Sequence, residues 1–201
     1  MSLSSDSDAI SYKKVHGKDR INFMESLTVA DVAGLKTNQG SLSVFTLPNG
    51  GIVDDLIVTK ADNHLYVVSN AGRREQDIPL MRAKEEEMKV EGKDVALELL
   101  EDRGLLALQG PTMMQCLQPL TSLPLDNLAF MHSALVEVAG IQCRVTRWMW
   151  KTRSWHFACK ALEVISSAYV SFWGVTSEVG EYYVSWFWFI NSSWFWQHFA
   201  E

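Results

Sequence analysis

Little basic charge and few cysteines limit the functions open to this sequence. Its 201 residues carry 18 Lys and Arg against 24 Asp and Glu, for a formal net charge of -6. That balance argues against nucleic acid as the main partner, because phosphate contacts need clustered Lys and Arg. The three cysteines, Cys116, Cys143 and Cys159, are odd in number and lack the spacing of a metal box. We therefore expect reduced thiols rather than a disulfide framework.

Targeting segments, phosphate loops and metal motifs are also absent from the pattern. Residues 1–14, MSLSSDSDAISYKK, have no apolar core for a secretory signal peptide, and their acids argue against a mitochondrial transit peptide. We expect this stretch to be disordered or a replaced first segment. Neither GxGxxG nor GxxxxGK occurs. His16, His64 and His132 have no partner at ligand spacing, so no metal site is predicted.

Alternation of polar and apolar residues predicts three consecutive strands in the first half of the chain. The alternating stretches are residues 41–46, 52–59 and 64–69. Asn49-Gly50-Gly51 and residues 60–63 supply turn chemistry between them. These strands form a predicted antiparallel meander.

Helical spacing predicts a helix over residues 71–90, with Glu85-Glu86-Glu87 as its solvated face. A shorter helical segment is expected over residues 21–35. The remaining predicted elements are strands over 94–99 and 105–109, a helix over 112–117 after Pro111, and a hairpin joining 131–137 to 141–147. The predicted fold class is α+β, with antiparallel sheets and packed helices.

Two adjacent carboxylates interrupt the second strand of the meander, in the stretch NGGIVDDLIVTK. Alternate residues of a strand share a face, so Asp54 and Asp55 point to opposite faces. At least one is then expected among apolar side chains, where a carboxylate needs a hydrogen-bond partner, a cation or a ligand. In the alternative, one Asp caps the turn at Gly50-Gly51 and the other is exposed on an edge strand.

Four stretches in order, GSLSVFTLPNGGIVDDLIVTK, HLYVVSNAG, ALQGP and CRVTR, resemble the aminomethyltransferases (T-proteins) of the glycine cleavage system. The resemblance covers residues 15–147 and implies part of their folate-binding fold. It implies that Asp55 is catalytic and faces bound tetrahydrofolate, where its charge can stabilise an iminium-like methylene. It also implies that Tyr66 and Val68 line the folate pocket. Asn70 is a looser match, equally well interpreted as a strand-end turn residue, and Asp54 is expected to be structural.

The resemblance also implies an activity, a cofactor, a partner and a compartment. The family moves the aminomethyl carbon from the lipoyl arm of H-protein to tetrahydrofolate and releases ammonia. It works in mitochondria or in the bacterial cytoplasm. Because no transit peptide is visible in residues 1–14, a cytoplasmic location is the alternative to a mitochondrial one.

The family pattern stops after Arg147. There the family continues Cys-Gly-Tyr-Thr-Gly-Glu-Asp-Gly, whereas this chain reads WMWKTRSWHFACK. All eight tryptophans lie at or after Trp148, and no Lys or Arg follows Lys160. We therefore expect residues 148–201 to be an aromatic-rich tail unlike the family, best explained as an out-of-frame or unspliced reading. Residues 182–200 are long enough to span a bilayer, but polar residues interrupt them and flanking cations are absent.

Three hypotheses follow from the sequence. The first is a tetrahydrofolate-dependent aminomethyltransferase that is impaired or inactive, because it lacks the family's downstream Glu and Arg. The second is a non-catalytic truncated isoform or aberrant translation product with residual folate binding. The third is membrane association through the tail, which partitioning into lipid would reveal.

Overall fold

Two antiparallel sheets organise the described part of the chain, which in this computed structural model comprises residues 11–100, 103–108, 113–147 and 155–160. The first sheet has the order β2-β3-β4-β1-β5. Its strands are β1 (Ser11–His16), β2 (Gly40–Thr46), β3 (Ile52–Lys60), β4 (Leu65–Ser69) and β5 (Ala96–Leu99). The predicted meander is confirmed, since β2, β3 and β4 are consecutive antiparallel neighbours.

The second sheet has the order β6-β9-β8-β7. Its strands are β6 (Arg103–Leu108), β7 (Ser133–Val138), β8 (Ile141–Arg147) and β9 (Trp155–Lys160). The predicted hairpin through Ala139 and Gly140 is confirmed as β7 and β8, and both turn residues have positive φ, 51° and 82°. A backbone bridge between Gln39 and His132 links the two sheets.

Two helices cover one face of the first sheet. They are α1 (Arg20–Leu27) and α2 (Arg74–Val90), while a short α3 (Met113–Leu117) lies between β6 and β7 in the chain. Their apolar side chains form one buried core with the strands, including Phe23, Met24, Phe45, Leu56, Val58, Leu65, Val67, Met81 and Met88. The α+β class is therefore confirmed. Among the described residues, no helix combines the length and apolarity needed to cross a bilayer.

The first helix is shorter than predicted. α1 ends at Leu27 because Thr28 is already extended, at φ -135° and ψ 167°. The Thr28 hydroxyl and backbone N–H both bond to the carbonyl of Met24, at 2.8 and 3.0 Å. These bonds satisfy a helix-end carbonyl and stop the helix there.

The N-terminal expectation is wrong for residues 11–14. They belong to β1, an internal strand that pairs with β4 on one side and β5 on the other. Backbone pairing on both sides, with Tyr12 and Lys13 buried, orders a stretch whose composition suggested disorder. Residues 1–10 lie outside the described part of the chain.

The acidic run on α2 also departs from expectation. Glu85 is only 2% exposed, so the interpretation as a wholly solvated face is wrong for this residue. Its carboxylate pairs with Arg82 at 2.7 Å and Lys89 at 2.9 Å, and it accepts a hydrogen bond from the backbone N–H of Leu97 at 3.0 Å. Glu85 thus fastens α2 to β5.

The second sheet includes residues that were assigned to the tail. β9 pairs with β6 on one side and β8 on the other. The expected boundary after Arg147 therefore falls inside a sheet, whereas residues 161–201, including the candidate membrane segment, lie outside the described residues. Cys143 stands opposite Cys159 in register and is disulfide-bonded, so the expectation of a reduced thiol is wrong for Cys143.

Candidate functional site

The two adjacent carboxylates of β3 point to opposite faces of the first sheet, as the alternation predicts. Asp54 is 8% exposed and faces the helices with Leu56 and Val58. Asp55 is exposed on the other side, here called the far face. The turn before β3 is held by Asn49, whose side-chain oxygen accepts the N–H of Gly51 at 3.0 Å.

Asn70 joins the two carboxylates immediately after β4. Its Nδ2 group donates to Asp54 Oδ1 at 2.9 Å and to Asp55 Oδ1 at 2.7 Å. Its backbone N–H donates to the other oxygen of Asp54 at 3.2 Å. The structure therefore gives Asn70 a specific role beyond that of a turn residue.

The register of the hairpin explains why Asn70 reaches Asp55. Leu56 of β3 lies opposite Ser69 of β4, so the next pair outward is Asp55 and Asn70. Once the strands are placed, counting outward from their turn would have found this pair. The sequence alone left Asn70 as either a looser match to the family's pocket or a strand-end turn residue, because neither interpretation used the register of the strands.

The far face brings Asp55, Val68 and Tyr66 together on one surface. Val68 pairs with Ile57, the second residue after Asp55, and Tyr66 is the second residue before Val68. Because alternate strand residues share a face, all three side chains emerge on the same side. Val68 is half-buried and Tyr66 is 7% exposed. The surface thus combines an exposed carboxylate with apolar and aromatic walls.

The Tyr66 ring is held in place by stacking on another aromatic ring and by a contact with a cation. Its ring stacks on Tyr12, with centroids 5.6 Å apart and planes 27° apart. The guanidinium carbon of Arg144 lies 5.7 Å from the Tyr66 centroid, within the range of a cation–π contact. Burial, with a contribution from Tyr66, raises the pKa of Tyr12 well above its ordinary value and keeps its phenol protonated. Tyr12 was missed because β1 was not predicted.

A buried charged network lies behind the carboxylate pair. Lys13 is fully buried, and its ammonium group donates to Ser69 Oγ at 2.6 Å. Ser69 in turn donates to Asp77 Oδ2 on α2 at 2.5 Å. This arrangement gives a buried cation and a buried carboxylate a shared hydroxyl partner.

Burial dominates the protonation of this network. It lowers the pKa of Lys13 to about 8, although Asp77 opposes the shift and the nearby Arg74 adds to it. Burial also raises the pKa of Asp77 to about 6, aided by Asp54 and opposed by Ser69 and Lys13. Both pKa values move in the direction that favours the uncharged form, because a charge in the interior loses its hydration.

Polar side chains cluster toward the other end of β1. The His16 and Glu98 side chains are 2.8 Å apart, and the His16 and His64 ring centroids are 5.6 Å apart. Burial foremost, then Lys14 and Arg144, lowers the pKa of His64 to about 4. No group of three or more His, Cys, Asp or Glu is arranged to hold a metal ion within the part of the chain that the structure describes.

Comparison with known proteins agrees with the resemblance seen in the sequence. The family model described as the GCVT N-terminal domain matches residues 5–157. The mitochondrial aminomethyltransferase of Homo sapiens is 55% identical over 136 residues, which is 67% of this chain and 34% of that protein. The corresponding protein of Dictyostelium discoideum is 44% identical over 137 residues, again 67% of this chain and 34% of its own length. The chain therefore spans about a third of the curated relatives it matches.

Solved structures give the same answer for the fold. The crystal structure of glycine cleavage system aminomethyltransferase T from Bartonella henselae matches with a TM-score of 0.70 and 25% identity. The match covers 84% of this chain and 44% of that one. Since the family model covers more than half of the residues, the chain belongs to the GCVT N-terminal domain family.

Proposed function

We propose that this chain carries the folate-facing part of a tetrahydrofolate-dependent aminomethyltransferase of the glycine cleavage system. The observation that carries the proposal is the exposed Asp55 carboxylate, held by Asn70 on the face of the sheet that also carries Val68 and Tyr66. A fixed carboxylate on an apolar and aromatic surface suits a planar ligand that gains positive charge as it reacts.

The proposed reaction uses this arrangement directly. The aminomethyl carbon leaves the lipoyl arm of H-protein, ammonia departs, and the carbon bonds to the nitrogens of tetrahydrofolate. Positive charge develops on the methylene and its nitrogen, and Asp55 stabilises it while orienting the attacking nitrogen. Val68 and Tyr66 exclude water beside the ligand, which strengthens the electrostatic contribution of Asp55.

We further propose that catalysis by this chain is impaired. By the resemblance, a Glu and an Arg that hold folate follow Arg147, and there this sequence reads WMWKTRSWHFACK in place of the family's Cys-Gly-Tyr-Thr-Gly-Glu-Asp-Gly. Catalytic groups that act as a unit fail together when some are removed. Residual tetrahydrofolate binding without turnover is therefore the second candidate function, favoured by an Asp55 site built wholly from the described residues.

The partners implied are tetrahydrofolate as the one-carbon acceptor and lipoylated H-protein as the donor, and the implied compartment is the mitochondrion. H-protein binding is tested separately from folate binding, because an activity assay needs both. Adding H-protein whose lipoyl arm carries the aminomethyl group to the tetrahydrofolate-loaded chain should release ammonia only if the transfer function survives.

Thermal unfolding of the full chain with and without tetrahydrofolate tests the binding proposal. Ligand at about a hundred times its Kd adds roughly 2.7 kcal/mol to the folded state, enough to raise the Tm by about 5–10 °C in a chain of this size. Asp55→Asn should lose most of that increment. Asp126→Asn, which changes an exposed carboxylate elsewhere in the chain, should keep it.

Either of two results would overturn the proposal. One is a cooperative transition that tetrahydrofolate does not move. The other is an equal increment in wild type and Asp55→Asn. A folate-dependent increment without ammonia release would favour the non-catalytic candidate.

A further inference from the structure

The neighbours of Asn70 allow only one of the two orientations of its side-chain amide. Its Nδ2 group faces two carboxylates, Asp54 at 2.9 Å and Asp55 at 2.7 Å. An amide flip would turn Oδ1 toward both carboxylates and put three acceptors together without a proton between them. The chemistry of its neighbours therefore fixes which atom of the amide faces Asp55.

Asp54 provides a rigid base for this amide. It is 8% exposed, and its two oxygens accept the side-chain and backbone N–H groups of Asn70. Behind it, Asp77 and Lys13 are fully buried and linked through Ser69. Side chains at such depth have few alternative rotamers, so Asn70 is anchored to the interior.

Asp55 lacks such burial of its own. It is exposed, and an exposed carboxylate samples several rotamers unless a neighbour holds it. The 2.7 Å hydrogen bond from Asn70 restrains its Oδ1 atom, and a weaker 3.4 Å contact joins the same amide to the Asp55 backbone oxygen. A carboxylate held before the ligand arrives has already lost the entropy that binding would otherwise cost.

We propose that Asn70 is a positioning residue that holds Asp55 for tetrahydrofolate, using Asp54 as its fixed base. The inference rests on the proposed function, because the ligand it serves is the one proposed there. Asn70 fixes the position of the Asp55 carboxylate and does not transfer protons, because a neutral amide N–H does not pass its proton from one carboxylate to another. Asp54 thereby supports Asp55 from the opposite face of the sheet.

A double-mutant cycle on tetrahydrofolate binding tests this role. Asn70→Leu keeps a similar volume and removes the donor, so it should weaken tetrahydrofolate binding about tenfold in the wild-type background. In the Asp55→Asn background the same change should weaken binding less than about threefold, because the group it positions is no longer a carboxylate. Asn127→Leu changes an exposed asparagine of the short 3-10 helix at Leu125–Asn127, so it serves as the matched control and should leave the Kd unchanged.

Equal factors in both backgrounds would show that Asn70 supports the fold without positioning Asp55, and would overturn the inference. So would an unchanged Kd for Asn70→Leu. Restoration of binding by Asn70→Gln, which keeps an amide donor, further separates positioning from loss of packing.

NMR of the free chain tests the hydrogen bonds without any folate. The two Nδ2 protons of Asn70 should give separate signals shifted by hydrogen bonding, and Asp55→Asn should move one of them much more than the other. Wild type that binds no tetrahydrofolate but shows this selective change would overturn the proposed function and retain the positioning of Asp55. Wild type that binds tetrahydrofolate without the selective change would overturn the positioning role alone.

Discussion

The two faces of the first sheet differ in whether their charged side chains are buried or exposed. On the helix-covered face, Lys13, Asp54 and Asp77 are buried and hydrogen-bonded into a network. On the far face, Asp55 is exposed, and the same face carries Val68 and Tyr66 farther along β4. The same strands build both faces, and alternation alone separates them. The comparison teaches that the buried charges serve to hold geometry, while the exposed carboxylate is available to a ligand.

Removing the buried cation should produce the largest effect on this contrast. Lys13→Met leaves Asp77 and Asp54 without their cation in the interior, and such uncompensated burial costs about 3–5 kcal/mol. Urea unfolding at pH 7 measures the loss. Lys36→Met, at an exposed position, should cost less than about 0.5 kcal/mol. A Lys13 variant as stable as wild type would show that the buried network does not depend on this charge.

A smaller loss is expected at Glu85. Glu85→Ala removes the acceptor of the Leu97 N–H and leaves that buried group unpaired, at a cost of about 1–3 kcal/mol. Its neighbour Glu86 is exposed, so Glu86→Ala should change stability by less than about 0.5 kcal/mol. The urea midpoints of the two variants give the comparison directly. Similar midpoints would mean that the buried and exposed carboxylates of α2 are equivalent.

The pH dependence of stability should reveal the raised pKa of Asp77. Its ordinary pKa of 3.8 is raised to about 6 in the folded state, mainly by burial. Between these values the folded chain holds a proton that the unfolded chain has released, so rising pH removes stability. Ser69, Lys13 and Asp54 also act on this carboxyl, the first two lowering its pKa and Asp54 raising it.

The difference between wild type and Asp77→Asn isolates this contribution. Wild type should lose about 1–3 kcal/mol relative to Asp77→Asn as the pH rises from about 4 to 6. Guanidinium unfolding at several pH values measures it. A constant difference across that window would show that Asp77 has an ordinary pKa and is not a buried charge.

The smallest effect is expected on the far face. Leu42 is 55% exposed and pairs across the ladder with Ile57. Leu42→Thr puts a β-branched strand former at this exposed position and should change the unfolding free energy by less than about 0.5 kcal/mol. A loss above about 1.5 kcal/mol would mean that this face is packed in solution, and the contrast between the two faces would fail.

Local patterns were enough to predict most of the sheet. The alternating stretches and the Asn-Gly turn placed β2, β3 and β4, and strand periodicity put Asp54 and Asp55 on opposite faces. These features depend on neighbours in sequence, and the chain displays them directly.

The buried network could not be predicted, because its partners are distant in sequence. Lys13 reads as a solvated basic residue until β1 inserts between β4 and β5 and brings it to Ser69, 56 residues away. Glu85 reads as a surface charge until β5 supplies the N–H of Leu97. In each case tertiary pairing overrides the local preference of the residue.

Whether Asp55 faces a bound folate can be decided by equilibrium titration of the full chain with tetrahydrofolate, for wild type and Asp55→Asn side by side. We expect saturable binding by wild type and at least a tenfold weaker Kd for Asp55→Asn, with unfolding free energies within about 0.5 kcal/mol of each other. Equal affinities in two equally stable proteins would contradict this expectation, because Asp55 would then face no ligand.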